Sequence, residues 1–317
     1  MFKYVVKRIL IAIPVFLGIT FIVYFLVNMA PGGPLDIIAS QGTLSQADLE
    51  ALKVQMGLDK PLVVRYFAWL GDLFRGDFGV SYRTSQDVKM MIGQRMKASL
   101  TLTGSGIVLA MIIGIPLGIM AAYKPYSKWD SAASFIAYIG SCAPNFFVSL
   151  LLIYIFAVKL KFFPTSGMYS TAGNQSFGDL ARHLFLPAIV ICIQPIGNYI
   201  KQTRAAVLEV LNEEYIKTAR AKGLKERTVI VLHAFRNALI PVVTTLSLSI
   251  PFLIGGAVVT EQIFSWPGIG SLMITAINNR DYPVIMGVTV LIAVVVLIAN
   301  LILDLVYAAL DPRISYD

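Results

Sequence analysis

The sequence predicts an all-α polytopic membrane protein with six transmembrane helices. Hydrophobic residues make up 57% of its 317 residues and charged residues only 14%, against roughly 45–50% and about 25% in an average soluble domain. Its mean hydropathy is +0.74. The apolar residues also gather in runs close to the ~20 residues that a hydrocarbon core of about 30 Å demands. These runs lack the alternation of barrel strands. Helices, which satisfy every backbone group internally, are therefore expected to do the crossing.

The runs lie at 10–29, 100–123, 132–158, 184–200, 238–262 and 284–310. The first follows "MFKYVVKRIL" and ends in "NMAPGGP". It is longer than the apolar core of about 7–15 residues in a cleaved signal peptide, so it reads as a retained span. In so apolar a chain the net charge of +8 sets topology rather than binding nucleic acid. Lys and Arg concentrate in 1–8, 123–130, 201–237 and the C-terminal tail, whereas the short loops 159–183 and 263–283 hold only Lys159, Lys161, Arg182 and Arg280. The positive-inside bias and an even number of spans place both termini in the cytoplasm.

Segment 30–97 is too polar to span and too patterned to be disordered. "SQADLEALKVQMG" has Ser45 and Asp48 at capping-box spacing and Gly57 as a stop. "KPLVVRYFAWLGDLFRG" follows, with Pro61 suited to a first turn, Gly76 at the end, and Leu62, Val63, Tyr66, Trp69, Leu70 and Leu73 on one face. A small helical extracytoplasmic cap is expected, either docking a partner or packing on the spans.

No G-x-x-x-x-G-K-[ST] phosphate loop, H-E-x-x-H or C-x-x-C occurs, so ATP hydrolysis and a metal site are not expected of this chain. Cys142 and Cys192 sit inside apolar runs and read as free thiols. His183 and His233 have no set of ligand-type residues near them in sequence and read as structural or interfacial. Glu261 and Asp304 lie near span ends, within expected reach of water or headgroups, so no chain of acids crosses the membrane as a proton relay or charged filter would require. Small and hydroxylated residues are present instead: Thr244, Thr245, Ser247 and Ser249 before Pro251, and Pro144–Asn145 in "GSCAPNF". They allow close helix packing, an uncharged pathway lining, or both; Pro144 should also kink its helix.

The segment 201–237 stands out. Up to Lys222 it is helix-forming, with Val207, Leu208, Leu211, Tyr215, Thr218, Ala219 and Lys222 tracking one side. Gly223 can take the left-handed conformation that ends a helix, placing Leu224 just beyond, and a second short helix is expected over 226–236. A lipid-bound helix wants a greasy buried face and a uniformly basic polar face. This one mixes Glu209, Glu213, Glu214 and Glu226 with its cations and presents "TARAKG", a surface better suited to another protein.

Here the residues resemble a family. "EVLNEEYIKTARAKGL" followed by "HAFRNALIP" resembles the coupling-helix motif of bacterial ABC importer permeases, E-A-A-x-x-x-G with a downstream I-x-L-P. Lys217, Thr218 and Ala219 stand at E-A-A, Gly223 at its glycine and Arg236 at its proline. Those departures are similar to the dipeptide, oligopeptide and nickel group. "APGGP" at 30–34, "GLDKP" at 57–61, "GDFGVS" at 76–81, "TEQIFSWPGIG" and "NNRDYPV" within 260–284, and the terminal "YAALDPRI" extend the resemblance over nearly the whole chain, closest to the oligopeptide "B" permease.

The resemblance implies one type I importer permease domain over 1–317, with an extracytoplasmic insertion at 30–97 and a coupling region at 201–237. It implies a second, similar permease subunit, an extracytoplasmic peptide-binding protein, and two cytoplasmic ATPases that hold ATP and Mg, leaving this chain with no cofactor. The coupling surface would be Glu214, Tyr215, Thr218, Ala219, Arg220, Ala221, Lys222, Gly223 and Leu224. From residue type alone, Asn145, Thr244, Thr245, Ser247 and Ser249 are the candidates for lining a pathway, with close helix packing as the alternative. The implied cargo is a peptide in a bacterial cytoplasmic membrane, with nickel or a metal chelate as the alternative. A membrane-embedded enzyme or an autonomous channel would need titratable clusters or a filter, which the spans lack.

Overall fold

The computed structural model describes residues 2–29, 45–55, 57–171, 175–235 and 258–310, with single positions 33, 35, 39 and 238. Helix α1 runs Phe2–Met29, α2 Gln46–Gln55, α3 Leu62–Phe74, α4 Val88–Tyr123 and α5 Lys128–Cys142. Helix α6 is Asn145–Leu152, continued by a π-helical stretch Ile153–Lys159; α7 is Phe177–Leu211, α8 Glu214–Ala221, and α9 Glu226–Thr228 with a π-helical continuation Val229–Ala234. Then come α10 (Val258–Ile263), α11 (Ile269–Asn278) and α12 (Tyr282–Leu310). The described residues include α1, α4, α7 and α12 as helices long and apolar enough to cross a membrane, and α5 with α6 as a bent pair. Most of the expected span at 238–262 lies outside the described residues.

The third expected span is not one helix. The axes of α5 and α6 meet at 103°. Ala143 is extended (φ −71°, ψ 121°), as a residue before proline prefers, and Pro144 is extended as well (φ −66°, ψ 126°). Two consecutive non-helical residues turn the chain where a proline inside an intact helix would only have kinked it.

The chain forms two compact units, Met1–Lys97 with Gly268–Ile298, and Ala98–Pro267 with the chain from Ala299. In the first, α3 packs on α1. The Tyr66 hydroxyl meets Thr20 Oγ1 at 3.0 Å, and Tyr66 stands edge-on to Phe21 and Tyr24 at 5.2 and 5.5 Å. Tyr66 and Leu70 are buried, but Val63, expected on the same face, is exposed. The stops at Gly57 and Gly76 are Schellman motifs: Gly57 and Leu58 donate to the Val54 and Lys53 carbonyls, and Gly76 and Asp77 to those of Leu73 and Asp72. Two segments distant in sequence are then joined. The Ser81 hydroxyl and Tyr82 N–H of the "GDFGVS" loop donate to the carboxylate of Asp281 in "NNRDYPV", at 2.5 and 3.1 Å.

The second unit is built on close backbone approach. A Cβ at Gly106 would stand 2.5 Å from Ile191, one at Gly114 2.9 Å from Tyr199, and one at Gly118 2.7 Å from Thr203. Glycines four or eight residues apart on α4 thus form a small-residue seam for α7. Between apolar helices in lipid, van der Waals packing of this kind replaces the hydrophobic drive available in water. Gly197 does the same for α5, with its Cβ position 2.6 Å from the Ala137 carbonyl oxygen. Glu261, expected to be within reach of water, is fully buried and accepts from the Ser99 hydroxyl at 2.7 Å. Beside it, the buried Trp266 indole donates to the Ala98 carbonyl at 2.8 Å. The Ser99 bond replaces part of the hydration that the buried Glu261 gives up.

Candidate functional site

The helix expected to continue to Lys222 is interrupted. Helix α7 ends at Leu211, where the Asn212 side-chain amide donates to the Leu208 carbonyl at 3.1 Å. Glu213 is extended (φ −69°, ψ 147°), and α8 begins at Glu214. Apolar periodicity alone did not reveal this break, although Asn212 was its available signal, since Asn competes with the helix through local side-chain bonds. The break resets the helical phase. Ile216 and Ala219 form the buried stripe, packed with Val229 and Ala234 and flanked by Val210 and Leu211. Tyr215, Thr218 and Lys222, which share a side with Ala219 in the sequence pattern, are exposed while Ala219 is buried.

Of the expected coupling residues, Ala219 alone is buried; Glu214, Tyr215, Thr218, Arg220, Ala221, Lys222, Gly223 and Leu224 form an exposed surface. Its charges are partly paired: Lys217 Nζ lies 2.6 Å from Glu214 Oε1, and the Arg220 guanidinium grips Glu226 at 2.7 and 3.3 Å. The second pair bridges the turn between α8 and α9. Exposed as both partners are, it contributes on the order of 0.5 kcal/mol. Gly223 adopts φ +75°, and its N–H donates to the Arg220 carbonyl at 2.9 Å. No heavy atom lies within 4 Å of where a Cβ would be. Backbone conformation, not crowding, therefore calls for glycine, and another surface can come close.

The base of this surface is fastened to α5. Arg204 on α7 makes a bidentate pair with Asp130 at the start of α5, Nε to Oδ1 at 2.7 Å and the second nitrogen to Oδ2 at 2.8 Å. The Asp130 side chain is 7% exposed; it also accepts from the Tyr126 N–H at 2.9 Å. One turn earlier, Lys201 lies 4.6 Å from the Tyr138 ring centroid, and its ammonium donates to Ser141 Oγ at 3.3 Å. With the Gly197–Ala137 approach, these contacts run antiparallel along α5 and α7. No sequence motif singled out Asp130 and Arg204; 74 positions apart, they meet only through the fold.

Asn145 is half-buried at the first turn of α6, directly after the bend. Thr244, Thr245, Ser247 and Ser249 lie outside the described residues. His183 is a buried fastener, its Nδ1 facing the Ser166 and Gly167 carbonyls at 3.1 and 3.0 Å and its Nε2 facing Ser170 Oγ at 3.2 Å. Among the described residues no three His, Cys, Asp or Glu side chains gather as a metal site would require.

Comparison with known proteins matches both halves of the chain. Residues 114–316 fit the family "Binding-protein-dependent transport system inner membrane component", and residues 1–103 fit its N-terminal membrane component family. The oligopeptide transport system permease protein AppB of Bacillus subtilis (strain 168) is 43% identical over 317 residues, covering 100% of both chains. The dipeptide transport system permease protein DppB of Escherichia coli (strain K12) is 36% identical, covering 100% of this chain and 99% of its own. A solved chain of the MetNI methionine ABC transporter in an inward-facing form superposes with a TM-score of 0.52 at 14% identity, covering 69% of this chain and 97% of that one; this likeness concerns the fold alone. All-helical build, long apolar helices and these full-length matches agree, and the chain belongs to the family of inner-membrane permease components of binding-protein-dependent ABC importers.

Proposed function

We propose that this chain is a permease subunit that moves peptides into the cell by alternating access, driven through α8. The exposed, partly paired surface of α8, ending at Gly223 and fastened through α7 to α5, carries this reading. Two ATPase subunits bind ATP and Mg, one of them taking α8 into a surface groove. A second permease completes the pathway, and an extracytoplasmic binding protein delivers the peptide. Both termini lie in the cytoplasm. The names of the relatives support the peptide cargo.

Mechanistically, α8 supplies the contact whose energy differs between ATPase states, and only such a difference shifts a conformational equilibrium. The Ile216–Ala219 stripe seats α8 on its own chain, so displacement of α8 pulls on Val210 and Leu211 at the end of α7. The Arg204–Asp130 pair and the Gly197 contact carry that pull into α5, which ends at the Pro144 bend. Asn145 and, by residue type, Thr244, Thr245, Ser247 and Ser249 would offer hydrogen-bonding groups without charge along the pathway, suited to a peptide backbone.

The deciding experiment is peptide uptake and ATPase rate in the reconstituted complex carrying Gly223→Val. The left-handed conformation costs a non-glycine residue about 1–2 kcal/mol, and a β-branched one more. Uptake is expected to fall at least tenfold while basal ATP hydrolysis persists; normal uptake sinks the coupling role. Competition by short peptides but not by nickel chelates is the expected cargo result.

A further inference from the structure

The first unit contains a cavity of about 690 Å³ that the transport reading does not use. Segments far apart in sequence wall it: Tyr24 and Asn28 from α1, Arg65 and Trp69 from α3, Tyr82 from the following loop and Tyr282 from α12. The volume falls within the roughly 300–1,000 Å³ typical of small-molecule sites. Its walls are pinned before any ligand arrives. Tyr24 packs on Trp69 at 5.7 Å between ring centroids, and Asp281 holds the loop through Ser81 and Tyr82 N.

Two cations and one acid line the cavity: Arg65, Lys60 and, at its rim, Asp72. Arg65 is half-buried. One guanidinium nitrogen donates to Asn28 Oδ1 at 2.8 Å, and Asn28 is oriented by its own bond to the Tyr24 carbonyl at 2.8 Å. The Tyr24 hydroxyl also lies close to Arg65. Both groups are neutral, and no carboxylate among the described residues lies within ion-pair distance of Arg65. The candidate acids are committed elsewhere: Asp281 to Ser81 and Tyr82, and Asp72, at the exposed rim, to Arg75 at 3.6 Å. Lys60 adds a second cation at the edge. Burial pushes the Tyr82 phenol up to about 12, so it stays a neutral hydroxyl. A guanidinium offers five donors in a rigid fork that fits a carboxylate two bonds at a time. Here the fork is held in place, partly withdrawn from water and, among the described residues, short of a counter-charge, beside aromatic walls that can take an apolar body.

We propose that this cavity is a carboxylate-binding site, with Arg65 anchoring the carboxylate and Trp69, Tyr24 and Tyr282 packing against the apolar group next to it. The carboxylate has two sources, the C-terminus of a free peptide or an acidic side chain of the docked binding protein. Only the choice of source rests on the transport reading above; the binding does not.

The probe is N-acetyl-phenylalanine, compared with its uncharged amide, on the purified full chain in lipid nanodiscs by ligand-observed saturation-transfer NMR. The acid is expected to bind at least tenfold more tightly than the amide. Arg65→Gln should erase that ratio and Arg65→Lys should keep part of it, which separates loss of charge from loss of fold. Equal binding of acid and amide, no acid binding at millimolar concentration, or a ratio unchanged in Arg65→Gln overturns the proposal. A source arm follows with immobilised complex. If the probe displaces the binding protein, the carboxylate is the partner's; if free tripeptides compete with the probe and the binding protein does not, it is the peptide's. Normal transport by Gly223→Val alongside selective acid binding would reject the coupling role and leave this site standing.

Discussion

Two residue-scale features separate backbone demand from charge demand. Gly223 has open space around it and a left-handed backbone, so Gly223→Asn should keep most of the uptake that Gly223→Val loses, since Asn visits that region more readily. At Asp130 and Arg204 the demand is charge. Removing one partner leaves the other's charge without its bidentate bonds, at a cost on the order of 1–3 kcal/mol. Asp130→Asn and Arg204→Gln should each lower the unfolding temperature of the purified chain and reduce peptide-stimulated ATPase more than basal ATPase. The double exchange Asp130→Arg with Arg204→Asp should recover part of both. If the two single variants match the parent in unfolding temperature and stimulated ATPase, the pair does not fasten α5 to α7.

At the element scale, helix packing depends on where side chains are missing. Gly118 lies within 2.8 Å, measured from its Cβ position, of the Ile200 carbonyl oxygen, whereas Gly104 on the same helix has nothing within 4 Å. Gly118→Leu should therefore lower thermal stability by an overpacking cost of about 1–3 kcal/mol. Gly104→Leu should leave it nearly unchanged, and differential scanning fluorimetry of the two variants decides the matter. The bend between α5 and α6 belongs to the same scale. Pro144→Ala restores an N–H and lifts the restraint on residue 143. Spin labels placed at 135 and 154 should then move apart as the 103° bend straightens, and an unchanged distance would assign the bend to packing alone.

At the scale of the whole molecule the open quantity is orientation across the membrane. The Lys and Arg distribution puts Lys225 in the cytoplasm and Lys60 outside. Starting from a variant without Cys142 and Cys192, a cysteine at 60 should react with a membrane-impermeant maleimide in intact cells, and one at 225 only after permeabilisation. The reverse pattern would invert the topology and remove α8 from any cytoplasmic partner.

Features governed by local or one-dimensional rules were legible in the sequence. Apolar run length marked α1, α4, α7 and α12 as spans because bilayer thickness is a length. Gly57, Gly76 and Gly223 marked helix ends because capping involves only neighbouring residues, and the full-length motif resemblance pointed to the permease family. Tertiary structure decided what depends on phase and on distant partners. It broke the helix at Asn212–Glu213 and so exposed Tyr215 and Thr218 while burying Ile216. It turned a proline kink into a 103° bend. It buried Glu261 against Ser99, paired Asp130 with Arg204, and set Arg65 among neutral partners. A charge takes its meaning from the groups that replace its water, and across separations of 37 to 162 positions only the folded chain specifies which groups those are.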